Sequence, residues 1–589
     1  MYRKSLYLLL CLLVCLCAPA LAEEPEILVC GKYEYFLNPD GTATIAKHHS
    51  FDRDVTIPNE LDGHTVSGIG DDALSSYLKN LTLPSSVTTL NANAFPQSLQ
   101  QIILPEDHPT LAFVNRALID KADKRLIVYL PDENFPQEYF SVPQGIVSIG
   151  QRAFAGCHAL RMVFLPNSVT DIDRRAFYFC YGLEKISFST NLLRIGEEAF
   201  YDCEALQSVE LPEGLQSIDD QAFYGCEALQ SVELPEGLQS LGSKAFYGCV
   251  ALQSVLLPDS LTELTGNPFW GCEQLIRFTV SPDHPVLALI DGVLFHKPSK
   301  TLVCYPRGLS AYAYSVPEGI RVIGDYAFCM CQTLQSVTLP DSVTAIGDHA
   351  FASCKLRDIN LPNGLTSIGS YAFDGCDFFG TIVLPETLVS LGDGAFNYCN
   401  LLETIVLPET LVSLGNSAFS FCGSLQSINL PDSLTHVGHN PFKYCRELTD
   451  IDLSPDHPAL ALVDGMLLHK PSKTLISCLE AIASPVCQVP DGIVAIGDDA
   501  FCSCDQLESV ALPDSLTTIG KTAFAHCDEL ASVSIPEGVT NIASSAFYYF
   551  RDQTPKLVLT VARDSYAMEY AKQAELPYTY PDSLDWLKE

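Results

Sequence analysis

Basic residues are scarce in this chain. Its 589 residues hold 34 lysines and arginines against 71 aspartates and glutamates, a formal net charge of −37. That balance argues against nucleic acid or an anionic membrane as partner, because both would repel it. Long apolar runs are also lacking: after residue 22 no stretch holds about 18 consecutive apolar residues, so no membrane crossing is expected. The ending PDSLDWLKE has no hydrophobic anchor tail, and no LPxTG-type sorting signal occurs. Neither G-x-S-x-G, H-E-x-x-H nor a phosphate-binding glycine loop is present, and no nonrepeating stretch is long enough for a catalytic domain. No enzyme activity and no cofactor are therefore expected. Calcium is not expected either, for want of a D-x-[DN]-x-[DN]-G loop. A metal site would want clustered cysteine pairs with further Cys or His. Only Cys329-Met330-Cys331 and Cys502-Ser503-Cys504 come close, without histidines at matching offsets.

The chain opens on a leader. MYRKSLYLLLCLLVCLCAPALA begins with Arg3 and Lys4, runs through an apolar core from Leu6 to Ala18, and ends on the cleavage pattern Ala20-Leu21-Ala22. This predicts a secretory signal peptide over residues 1–22 and a secreted or cell-surface location. With 47% hydrophobic and 18% charged residues, the chain has the composition of a folded protein rather than a disordered one.

It is repetitive. YDCEALQSVELPEGLQS (201–217) is followed by YGCEALQSVELPEGLQS (224–240), and TIVLPETLVSLG occurs at both 381–392 and 404–415. Cys157, Cys180, Cys203, Cys226, Cys249 and Cys272 stand 23 residues apart, and Cys331, Cys354, Cys376, Cys399, Cys422 and Cys445 continue with one 22-residue step. Cys504 and Cys527 close the series. A phenylalanine precedes each by three positions, as in Phe154, Phe177, Phe200, Phe223 and Phe246. A fixed period of this length means a solenoid with one turn per repeat. The unit reads L-x-x-[VI]-x-L-P-[ED]-[GS]-[LV]-x-x-[IL]-G-x-x-A-F-x-x-C. In Leu229–Cys249, Val232 and Leu234 alternate with Ser231 and Glu233 as in a strand, and Pro235 ends it. Leu238, Leu241, Ala245, Phe246 and Cys249 then return inward, and Gly242 suits a tight bend. No single repeat could bury this set; stacked repeats could, in a parallel sheet on one face of the solenoid. The ladder cysteines read as small buried packing residues.

Three stretches interrupt the rhythm. Phe95–Phe154, Phe269–Phe328 and Phe442–Phe501 each span 59 residues, one repeat plus 36, and give a super-repeat of about 174 residues. Their shared text predicts β-hairpin inserts near 105–141, 281–315 and 454–488, standing off the solenoid. Asp291-Gly292 and Asp464-Gly465 are hairpin-turn signals, and Lys297–Lys300 a second turn. His108, His284 and His457 recur in D-H-P, each alone in its module, which favours a turn-stabilising hydrogen bond over metal or acid–base chemistry. Cys304 and Cys478 read as one position in two inserts, Cys329 and Cys502 as another; in the remaining insert Val128 and Ala155 stand there. Joint presence predicts disulfides Cys304–Cys329 and Cys478–Cys502.

The ends must hide the open faces of the stack. Asp40-Gly41 between alternating stretches predicts a hairpin cap over 23–72, ahead of a solenoid over 73–548. SYAMEYAKQAELPYTY predicts a short helix, with Tyr566, Met568, Tyr570 and Ala571 on one face, and a final strand in a cap over 549–589.

The repeating unit, the DGTATI…VTIP segment and the SYAMEYAKQAELPYTY ending resemble the BspA-like leucine-rich repeats of secreted and surface proteins. The resemblance covers nearly all of the chain after the leader. It implies a mainly β, right-handed leucine-rich-repeat solenoid, and adhesion or protein–protein interaction at a bacterial surface without catalysis. One departure is that no asparagine ladder follows the strand: Gly237 stands where asparagine would be. The expected partner is an extracellular protein or glycan, and the protein a monomer. The alternatives are a passive spacer or coat protein of the cell surface and, behind it, a hydrolase. The candidate ligand face is the outward strand positions, including Ser208, Glu210, Ser231 and Glu233, with Arg161, Lys185, Arg277, Arg357 and Asp358 as larger side chains suited to anchoring.

Overall fold

The computed structural model describes residues 25–581 except 92, 133–136, 377–379, 480, 482–483 and 549–556, and leaves out the side chain of Asp358. The expected signal peptide lies outside the described residues. The chain divides into two compact units, Met1–Ile195 and Gly196–Glu589.

Both are stacks of coils of one design. In the coil from Leu229 to Cys249, strand Ser231–Glu233 turns Val232 into the core and leaves Ser231 and Glu233 exposed. Pro235 ends the strand, and its carbonyl accepts the N–H of Leu238 at 3.0 Å, which closes the turn. A second short strand, Ser240–Leu241, then pairs in parallel with Ser217–Ile218 and Glu263–Leu264. Two parallel ladders therefore run along each stack, where the sequence suggested a sheet on one face. The L-x-x-[IL]-G stretch is a strand in its own right, too short to show an alternating pattern.

Gly242 owes its place to contact between coils rather than to a bend. A Cβ there would lie 2.3 Å from the backbone nitrogen of Asp220 in the preceding coil. The close approach lets Asp220 Oδ1 accept the N–H of Ser243 at 2.7 Å. The same corner repeats through Asp325 to Asp348 N, Asp348 to Ser370 N, Asp393 to Asn416 N and Asp498 to Lys521 N, at 2.7–2.8 Å. Side-chain carboxylates thus form a ladder of the kind missing after the first strand.

The inner corner is a stack of rings. Phe200, Phe223 and Phe246 lie 5.1 and 5.2 Å apart and within 4° of parallel, and Phe351, Phe373 and Phe396 stack at 5.3 Å within 12° of parallel. Identical coils place identical rings face to face, so duplicating a repeat creates no mismatch.

In the first unit the stack begins under a cap of antiparallel strands, Leu28–Cys30, Tyr33–Leu37 and Ala43–His48, the last running parallel to His64–Ile69. Tyr35, Ala43, Ile45 and Val66 close its core. In the second unit the far end is covered by helix α1 (Tyr566–Gln573), capped by Ser565, whose hydroxyl accepts from the N–H of Met568. Its buried face is Ala567, Met568, Tyr570 and Ala571. Tyr566, expected on that face, is exposed at the first position of the helix, and Ala567 is buried in its stead. Strand Tyr578–Thr579 comes next, parallel to Val558–Thr560.

The inserts do not stand off. Each is a three-stranded antiparallel meander, such as Leu287–Ile290, Val293–His296 and Thr301–Cys304. Its third strand pairs in parallel with Val322–Ile323 and so resumes the second ladder. Val293, Leu294 and Leu302 are fully buried, so the hairpin is part of the core. The Asp291-Gly292 turn has φ of 52° and 80°, the left-handed pair a two-residue hairpin requires. A buried asparagine spans two of the inserts. Asn267 Nδ2 donates to Tyr326 O at 3.2 Å and Asn440 Nδ2 to Asp499 O at 2.6 Å, both 59 residues on. The N-P-F that replaces A-F in these coils is the sequence mark of a coming insert.

Candidate binding surface

The side chains with the greatest chemical potential are committed to the fold. Ladder thiols donate to the phenylalanine carbonyl of the coil before, Cys180 to Phe154 O at 3.1 Å, Cys249 to Phe223 O at 3.3 Å and Cys399 to Phe373 O at 3.2 Å, whereas Cys504, after the third insert, donates to Cys478 O. The cysteine packs as an apolar residue would, and it also satisfies a buried carbonyl. Burial pushes the Cys249 and Cys399 thiols well above their ordinary range, and Cys304 and Cys354 to about 12. They are protonated donors rather than thiolate nucleophiles or ligands. Cys157, Cys203 and Cys226 of the same ladder are likewise buried. No group of three His, Cys, Asp or Glu positioned for a metal occurs among the described residues.

The D-H-P histidines hold turns, as their isolation suggested. His284 is fully buried. Its Nδ1 accepts from Leu287 N at 3.1 Å and its Nε2 faces Pro258 O at 2.9 Å in the preceding coil. Lys297 Nζ reaches the His284 carbonyl from across the hairpin. His108 and His457 make the same contacts.

In this structure all twenty described cysteines, Cys304, Cys329, Cys478, Cys487 and Cys502 among them, are free thiols, so neither expected bridge, Cys304–Cys329 or Cys478–Cys502, is closed. The strand register shows that the two pairs are not equivalent. Cys304 lies opposite Leu294, but the residue opposite the matching Leu467 is Ser477, while Cys478 lies opposite Met466. Cys478 therefore corresponds to Tyr305, not to Cys304, and the supposed joint presence is off by one residue. Cys304 faces Asn267 and Cys329 faces Trp270 and Arg307, whereas Cys502 faces Lys443 and Ser503.

The outward side of the strands is left for recognition. In the first unit, Tyr139, Met162 and Lys185 share one column, and Ser141, Phe164 and Ser187 another. Arg161 lies beside them, engaged by Glu138 of the coil before at 3.5 Å and by Glu184 of the coil after. Glu184 raises its pKa most. These pairs are exposed and weak enough to be exchanged for a partner's carboxylate. In the second unit Ser208, Ser231, Ser254 and Arg277 form one column and Glu233, Leu256 and Thr279 the next, with Glu210 exposed beside Ser208. Arg357 precedes strand Asp358–Asn360, next to an open depression of about 440 Å³ whose lining includes Arg357, Ile359, Asn360, Thr381, Val383 and Glu386. Val383 and Val406 are register partners there, exposed by 78% and 63%. Sequence reasoning passed over both valines. The signal was present in TIVLP, where the outward position held by Glu233 in SVELP carries valine.

No helix among the described residues is long and apolar enough to cross a membrane. No curated protein matches the chain. Among solved structures, a leucine-rich cell surface protein from Faecalibacterium prausnitzii A2-165 is similar at 28% identity, over 74% of this chain and 96% of that one, with a TM-score of 0.41. A leucine-rich repeat protein from Bacteroides ovatus is similar at 23% identity, over 77% and 98%, with a TM-score of 0.33. The pneumococcal vaccine antigen PcpA is similar at 20% identity, over 73% and 99%, also with a TM-score of 0.33. The family model of the BspA type leucine rich repeat region matches in six copies, over residues 48–115, 133–220, 193–297, 307–404, 366–459 and 483–557. Carried by more than half of its residues, the resemblance read from the repeating unit holds: the chain belongs to the BspA-type leucine-rich repeat family.

Proposed function

We propose that this is an exported, noncatalytic surface protein that binds an extracellular protein or glycan through the outward strand columns of its second unit. One observation carries the reading. Inward positions stay apolar from coil to coil, Val232 and Val255 to Phe278, whereas outward positions change in character: serine to Arg277 in one column, Glu233 to Leu256 to Thr279 in the next, and paired valines, Val383 and Val406, at the equivalent position of a separate sheet. Two valines left in water beside a depression are of no use to the coil that carries them. They supply apolar area to a partner, and Arg277 and Arg357 supply anchoring hydrogen bonds. The similar surface protein of F. prausnitzii fits this location.

The test is a binding screen of residues 23–589 against matrix proteins, mucins, glycans and cell-wall preparations at physiological salt. The reading expects saturable binding that falls at least about tenfold in Val383→Glu/Val406→Glu or in Arg277→Glu. Binding indifferent to all three substitutions would move the site elsewhere. No binding across the panel, with oligomers that grow with concentration in sedimentation, would favour a coat or spacer instead.

A further inference from the structure

The three inserts deliver two residues into the same core space, one from the end of the third hairpin strand and one from the first-ladder strand that comes after it. In the first insert these are Tyr129 and Phe140, with ring centroids 4.5 Å apart. In the second they are Tyr305 and Tyr314, at 5.3 Å. Both pairs pack on the phenylalanine of the next coil, Phe154 and Phe328. The register fixes the counterparts in the third insert. Tyr129 lies opposite Ala117 as Cys478 lies opposite Met466, and Phe140, Tyr314 and Cys487 pair with Val163, Val337 and Val510. Two aromatic residues in contact have been replaced together by two cysteines.

We propose that Cys478 and Cys487 form a disulfide in the exported protein, a cross-link that takes the place of the aromatic pair at the third insert. Both side chains are buried in one core cluster with Phe501 and Cys504. Each thiol is the foremost electrostatic neighbour of the other, which sets the two side chains side by side in that cluster. Cys487 otherwise donates to Ser484 O at 3.0 Å, a bond the cross-link gives up. Cys504 is also near, donating to the Cys478 carbonyl at 3.7 Å. Its counterparts Cys157 and Cys331, however, belong to the ladder and are present where Tyr129 and Tyr305 offer no sulfur. The pair that changed together is Cys478 with Cys487.

The chemistry is thiol–disulfide exchange with a disulfide oxidant, either glutathione disulfide or the disulfide of an oxidoreductase. A thiolate of one cysteine attacks the oxidant and forms a mixed disulfide, releasing one oxidant thiol. The second cysteine displaces the other oxidant thiol. Two protons and two electrons pass from the protein to the oxidant, leaving one S–S bond and two reduced thiols. Because both cysteines are buried in the folded chain, the bond closes before the last coils dock.

The experiment uses residues 23–589, refolded with glutathione disulfide or exported to an oxidising compartment. The chain is denatured in a first alkylating agent, then reduced, treated with a second agent of different mass, and mapped by mass spectrometry. Cys478 and Cys487 should carry the second label, and the other eighteen of the twenty cysteines from Cys30 to Cys527 (20 − 2) the first. First label on both, or a cross-link from Cys478 to Cys504 or Cys502, overturns the proposal. In a second measurement, reductant should lower the thermal midpoint of the wild type by several degrees and leave Cys478→Tyr/Cys487→Tyr unchanged. Equal sensitivity in both proteins would also overturn it.

Discussion

Gly415→Ala should be among the most damaging single-methyl changes available in the second unit. A Cβ at Gly415 would stand 2.4 Å from the backbone nitrogen of Asp393 and 2.4 Å from the carbonyl carbon of Gly392. Ordinary contact begins near 3.4 Å, so the coils must part there by 1.0 Å (3.4 − 2.4). No side chain can step aside, because both atoms are main chain. That corner is held by Gly415 N to Leu391 O at 2.9 Å and by Asn416 N to Asp393 Oδ1 at 2.7 Å. Opening it by about 1 Å takes both beyond useful hydrogen-bond length. Overpacking costs about 1–3 kcal/mol, and a lost bond to a carboxylate about 1.5–3 kcal/mol. Relaxation exchanges one for the other, so the expected loss is about 3 kcal/mol rather than the sum. Gly423→Ala is the control, since nothing lies within 4 Å of a Cβ there and φ is not positive. It should be neutral or stabilising by up to about 1 kcal/mol. Urea unfolding followed by circular dichroism compares the two. Hydrogen exchange then localises the defect, because a stack of coils need not unfold as one unit. The expected signature is faster exchange in peptides over 391–416 and unchanged exchange near α1. A Gly415→Ala loss within about 0.5 kcal/mol of Gly423→Ala would refute close contact as the reason for the glycine.

Removing a ladder thiol should cost more than its volume. Cys249→Ala strands the Phe223 carbonyl and is expected to lose about 1–3 kcal/mol in the same denaturation assay. Burial raises the Cys249 pKa, so the thiol's contribution is complete below the unfolded value near 9 and is lost as pH rises above it. The loss should be roughly 1.4 kcal/mol per pH unit per buried thiol, and a titration from pH 8 to 10.5 that leaves stability flat would contradict it. At the acid end the D-H-P turns act. Burial, ahead of other causes, lowers the pKa of His108 and His284, so their contribution is present above the ordinary imidazole value of 6.5 and falls away below it. Protonating His284 Nδ1 would set a proton against the N–H of Leu287. Protection at the second hairpin, taken relative to intrinsic exchange at each pH, should therefore fall between pH 6.5 and 5, and the acid response should shrink in His284→Asn.

The solenoid and its 23-residue turn were legible because each coil must bury the same face, and burial writes itself as period and alternation. Phe223 and Cys226 could be read as core from spacing alone. Partners across coils were not legible. The step from Asp220 to the N–H of Ser243 joins residues that neither alternate nor differ in hydropathy from loop residues, and the reason for Gly242 lies in the coil before it. The alignment of Cys304 with Cys478 went astray for a related reason. A one-residue slip is invisible in aligned text when Val303-Cys304-Tyr305 and Ile476-Ser477-Cys478 look alike in hydropathy, yet it sends a side chain to the other face of the sheet. On the candidate face, Arg277 and the serine column show through alternation, whereas Val383 and Val406 look like core residues because valine usually belongs there.

The polar ladders also explain why recognition falls to the outward strand positions. Along one coil the inward strand residue, the proline turn, the I-G corner with its carboxylate and the A-F-x-x-C corner each contact the next coil through a hydrogen bond or a ring. A change at any of them is felt on both sides, as at Gly242, Asp220, Phe223 and Cys249. Ser231, Glu233 and their column neighbours contact the next coil only through exposed cross-strand pairs, worth about 0.2–1 kcal/mol each. Substitution there costs the fold little, so these positions are free to follow a partner. Residues that break the column, Arg277 and the valines Val383 and Val406, are then better evidence of recognition than the serines the coils share.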